Sequence, residues 1–80
     1  MPTDVLIPLE MVSSGQAVEV VDLAGDPGWI GRVQELGIRI GACLRVLRPG
    51  SPCLLQVGDN RFCLRCTSGT CVLVRTLPAM

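Results

Sequence analysis

Eighty residues, 49% of them hydrophobic, make one small domain with a thin core, too apolar for a disordered chain. Seven Arg offset seven Asp plus Glu, Lys and His are absent, and one Trp and one Phe are the only aromatics. This balance excludes a broad basic footprint and base-stacking platforms for nucleic acid, and it removes the usual neutral-pH proton shuttle.

Read in chain order, Val5 to Val12 is a short helical turn or an extended arm that docks through Leu9 and Val12, followed by a turn at Ser13-Ser14-Gly15-Gln16. Ala17 to Leu23 is rich in β-branched residues and reads as a strand, with Val18 and Val20 on one face and Val21 and Leu23 on the other. The buried face is not decided by this pattern. Gly25-Asp26-Pro27-Gly28 breaks the strand and opens a helix over about 27–36, with Asp26 as cap, Pro27 at the first helical position, and Trp29, Ile30, Val33 and Leu36 at helical spacing. Gly37 can take the left-handed conformation that ends a helix, and Gly41 can start the next turn.

Cys43 to Arg48 alternates with Leu44 and Val46 inward, and Arg48-Pro49-Gly50-Ser51-Pro52 is a rigid turn. Cys53 to Val57 places Cys53, Leu55 and Val57 on one face, and Gly58-Asp59-Asn60 turns into Arg61 to Arg65, with Phe62 and Leu64 inward. A single helical turn is expected over Cys66 to Thr70, before a last strand from Cys71 to Arg75. The chain is therefore expected to be mainly β: a small curled barrel of about five short strands, one inserted helix and one helical turn before the last strand. It forms a single domain over 1–80 with its core at about 9–75.

Catalytic constellations are not visible. Asp22 and Asp26 straddle a strand end and a Gly-rich turn, and Gly25, Gly28 and Gly31 lack the spacing of a dinucleotide or phosphate loop. The apolar runs fall well short of the roughly 18 residues a membrane span requires, and no signal peptide is visible, so a cytoplasmic protein is expected.

Five cysteines, an odd number, suit reduced thiols. Cys63-Leu64-Arg65-Cys66, with Cys71 and Cys53 nearby in sequence, is a candidate site for zinc or iron or for a redox response, because thiols two residues apart can turn both sulfurs to one side. Ordinary small thiols are the leading reading, since no second such pair completes a closed site. Cys53 shares a face with Leu55 and Val57 and is expected in the core, and no bound cofactor is expected.

Two surfaces are candidates for a protein partner. Arg45, Arg61 and Arg65 fall on outward strand positions, where they read first as a solvated face that keeps the barrel soluble and second as a surface for acidic groups of a partner. Ile38 and Ile40 flank Arg39 in the loop after the helix. One is expected to pack inward and the other to join Leu36 as an interface anchor.

The ordered series Leu36-Gly37-Ile38-x-x-Gly41, alternating Leu44 and Val46, Pro49 to Pro52, the turn at Gly58 and Phe62-x-Leu64-Arg65 resembles the FeoA family, from about Leu9 to Val74. The resemblance implies an SH3-like barrel with an inserted helix. It also implies a cytoplasmic, non-enzymatic accessory or regulatory role in ferrous iron uptake, with recruitment to the inner membrane by a ferrous transporter that bears a GTP-binding domain. On this reading Leu36, Gly37, Ile38, Arg39, Gly41 and Arg65 contact the partner, and Leu36→Arg or Ile38→Asp would weaken binding with the fold intact. Barrel edges would also let a second copy pair. Where the family carries a more polar turn, this chain has Cys66 to Cys71, which keeps a cysteine-based metal or redox module as the alternative. The same barrel resembles the C-terminal domain of metal-dependent repressors, here without a preceding pair of DNA-binding helices.

Overall fold

The computed structural model describes residues 6–50, 52–66 and 69–78. Six strands form one antiparallel sheet: β1 (Ile7–Pro8), β2 (Ala17–Ala24), β3 (Cys43–Arg48), β4 (Cys53–Val57), β5 (Asn60–Leu64) and β6 (Cys71–Thr76), in the order β1-β6-β2-β3-β4-β5. A 3-10 turn at Leu9–Met11 follows β1, and the helix α1 (Pro27–Glu35) is inserted between β2 and β3. The architecture is SH3-like, with β1 and β5 as the open edges of the sheet. Among the described residues the strands number six, not five, because Ile7 and Pro8 pair with Val74 and Leu73. Pro8 is tolerated there because an edge strand does not use every amide. The helical turn expected over Cys66 to Thr70 includes Thr67 and Ser68, which lie outside the described residues.

The buried face of β2 is settled by a bulge. Val20 faces Val74 and Asp22 faces Leu73, leaving Val21 as the extra residue. Val18 and Val20 are buried before it, and Leu23 packs against the core after it. An inserted residue shifts the alternation by one, so apolar residues from both sequence faces reach the same interior. A second register shift lies between Val46 and Arg48 in β3. Inward residues of the other strands are those the alternation assigns: Leu44 and Val46, Cys53 and Leu55, Leu64, and Val72 and Val74. Leu9 and Val12 dock into the same core from the N-terminal arm.

The helix begins and ends by local chemistry. Asp26 Oδ1 accepts a hydrogen bond from the Trp29 amide at 3.0 Å, and Pro27 occupies the first turn, where no amide is needed. Asp26→Ala should cost about 1 kcal/mol, read as a lower urea midpoint with an unchanged fold. At the other end Gly37 N–H donates to the Gln34 carbonyl and Ile38 N–H to the Val33 carbonyl, both at 3.0 Å. This is a Schellman closure, in which the residue after the left-handed glycine packs against the residue five before it. Gly37 has φ +100°, a conformation strained for any side chain, and a Cβ there would press on Val57 Cγ1 at 3.1 Å. Ile38 is thereby turned inward onto Val33, and both are buried.

Candidate functional site

The segment from the end of α1 to β3 is held on both sides. Gly41 N–H donates to the Val20 carbonyl at 2.8 Å, Val20 N–H donates to the Ala42 carbonyl at 2.9 Å, and Ala42 N–H closes a turn on Arg39 at 2.9 Å. The Arg39 Nε donates to the Gln34 carbonyl at 3.2 Å, a cation at a helix C-terminus. This rigid frame leaves two large apolar side chains outside: Leu36 is 45% exposed and Ile40 is 65% exposed.

Ile38 does not join them. It is 0% exposed, so the expectation that its side chain meets a partner, and that Ile38→Asp would spare the fold, is corrected. The Schellman geometry decides which isoleucine turns in. Ile40, three residues past the glycine, is the one left out. The signal was present in the sequence: an apolar residue directly after a helix-ending glycine pairs with the helix, and Val33 stands at the matching position.

Arg65 is exposed just beyond β5, on a cleft of about 360 Å³ that it lines with Asp26, Trp29, Arg32, Val33, Leu36 and Leu64. Trp29, Arg32 and Leu36 stand three and four residues apart and so share one side of the helix. That spacing could have drawn Trp29 and Arg32 into the candidate site. Arg45 and Arg61 both pair with Gln56, so two of the three arginines expected in an outer row align across β3, β4 and β5, whereas Arg65 lies beyond β5 on the cleft beside the helix. Arg45 is occupied, donating to the Gly15 carbonyl at 2.7 Å.

The cysteines are divided by the sheet. Cys53 is buried opposite Leu64, whereas Cys63, next along β5, is exposed on the other face. Cys66 is half-buried and packs against the core, and Cys71 alternates with buried Val72. All five thiols are free. Burial pushes the Cys53 thiol up to about 11, with Cys66, Glu10 and Cys63 adding repulsion for the thiolate. Burial also raises Cys66, helped by Glu10 and Cys71. Thiols held protonated in this way are poor nucleophiles. Among the described residues, no three Cys, Asp or Glu side chains come together in a group that could hold a metal ion.

Strand order, inserted helix and exposed loop together define a small SH3-like domain with its helix-exit face open to contact. The FeoA domain model matches residues 7–76, and the chain belongs to the FeoA family. It is similar to a crystal structure of an iron uptake regulatory protein (FeoA), with a TM-score of 0.76 and 26% sequence identity, covering 91% of this chain and 100% of that one. No curated protein matches the chain. No helix among the described residues is long and apolar enough to cross a membrane.

Proposed function

We propose that this protein serves ferrous iron uptake as a non-enzymatic accessory or regulatory subunit that binds the cytoplasmic part of a GTP-dependent ferrous transporter. It works in the cytoplasm and reaches the inner membrane through that partner. Family membership supports the role in iron uptake, and the observation that carries the binding reading is the exposed pair Leu36 and Ile40 on a loop fixed by hydrogen bonds. Large apolar side chains held out on a rigid frame lose little entropy on binding and make efficient anchors. Gly37 and Gly41 shape this loop, Arg39 ties it to the helix, and Arg65 stands across the cleft from Leu36.

The test is capture of the transporter's cytoplasmic part by the purified chain. Leu36→Arg combined with Ile40→Asp should weaken it by about tenfold or more, with an unchanged circular dichroism spectrum. Undiminished capture by the folded double variant would move the interface elsewhere.

A further inference from the structure

We infer that the cleft between α1 and the end of β5 is a docking site for a segment of a partner protein that carries an acidic side chain beside a large apolar one. This rests on the accessory role proposed above and specifies what the partner presents.

The floor of the cleft is apolar: Val33 and Leu64 are buried at its base, and Trp29 and Leu36 form its helical wall. Its rim carries two guanidinium groups, Arg32 and Arg65, both exposed. Elsewhere Arg39, Arg45 and Arg75 are occupied, by the Gln34 carbonyl, the Gly15 carbonyl and the Glu19 carboxylate, while Arg48 and Arg61 are exposed on the strands and line no part of this cleft. The guanidinium groups of Arg32 and Arg65 have no hydrogen bond or ion pair with any described residue. The one acid on the rim, Asp26, already accepts the Trp29 amide. A chain with zero net charge thus concentrates two unspent cations around an apolar hollow.

A guanidinium fork recognises a carboxylate with oriented hydrogen bonds, and an apolar floor beside it accepts the neighbouring side chain. The cleft volume lies near the low end of the roughly 300–1,000 Å³ typical of ligand clefts, suited to one large side chain with its flanking backbone. β5 is an open edge that ends at Leu64 at the base of the cleft, so the bound segment can lie extended along it. A concave floor between two arginines fits a side chain better than a lipid surface, which calls for a protruding apolar face on a basic patch.

Trp29, the single tryptophan of the chain, lines the cleft and reports on it by fluorescence. The probe is the peptide acetyl-Leu-Glu-Leu-Glu-amide, compared with its Gln counterpart. The acidic peptide should bind about tenfold more tightly, and Arg32→Gln with Arg65→Gln should remove that preference while the fold is retained. Equal binding of both peptides, no fluorescence response, or an unchanged preference in the arginine variant would overturn the site. So would a response to phosphatidylglycerol vesicles or to self-association that exceeds the response to the peptide. Transporter capture separates the two readings. Undiminished capture by the arginine variant overturns the cleft and leaves the accessory role standing. Peptide binding without capture by the native chain supports the cleft and overturns the accessory role.

Discussion

Ile38→Asp should abolish folding. The side chain is fully enclosed, and its amide closes the helix end on Val33. A carboxylate there has no cation among the core residues, which are all apolar. Burying it unpaired costs at least about 4 kcal/mol. A domain of this length holds roughly 4–12 kcal/mol in total, so the variant should lack a cooperative urea transition at 25 °C. Ile38→Ala, which only opens a cavity, should cost about 2–5 kcal/mol. Ile40→Asp, two residues away and exposed, should shift stability by no more than about 0.5 kcal/mol. The contrast is the test: similar urea midpoints for the two Asp variants would return Ile38 to the surface and make it an interface residue again.

Stability should also fall between about pH 9 and pH 11, with Cys53 as the largest cause. The chain has no His, Lys or Tyr, so the cysteines are the side chains that titrate through the alkaline range. Below the ordinary thiol value of 9.0, Cys53 is protonated in both states. As pH rises toward about 11 the unfolded chain gives up this proton and the folded chain keeps it. The folded state then binds more protons, so stability declines with pH and levels off once the folded thiol ionises as well. The loss assigned to Cys53 is on the order of 2–3 kcal/mol, and Cys66 adds to it in the same direction. Urea midpoints under reducing conditions from pH 7 to 11 measure the effect. Cys53→Ala should start from a lower stability and show a clearly flatter alkaline decline. An equally steep decline in that variant would remove Cys53 as its source.

Most of the fold was legible in the residues themselves. Asp26-Pro27 opens the helix, Gly37 ends it, and strict alternation marks Leu44 with Val46 and Cys53 with Leu55 as inward pairs, as the structure has them. Each signal is local: a side chain satisfies or releases backbone groups a few residues away, so the sequence contains the whole interaction. β1 was missed because two residues ending in a proline have no periodicity, and their strand character comes only from pairing with Leu73 and Val74.

The candidate site was legible only in part. Leu36, Arg65 and the glycine-framed loop follow from the sequence, as does the burial of one of two isoleucines. Which isoleucine turns in is set by the closure bonds around Gly37, a local signal carried by the residue directly after a helix-ending glycine. The pairing of Arg32 with Arg65 across one hollow depends on α1 and β5, distant in the chain, meeting at a common wall. Alternation already set Cys53 inward and Cys63 outward, and the packing of Cys66 against the core is what the structure adds. The sequence by itself determined the helix with its caps, the strands other than β1, and the buried faces of β3, β4 and β5, because these are set by neighbours along the chain. Only the tertiary structure decided the β2 bulge, the sixth strand, the half-burial of Cys66 and the charged cleft, because register and juxtaposition arise between segments that meet only on folding.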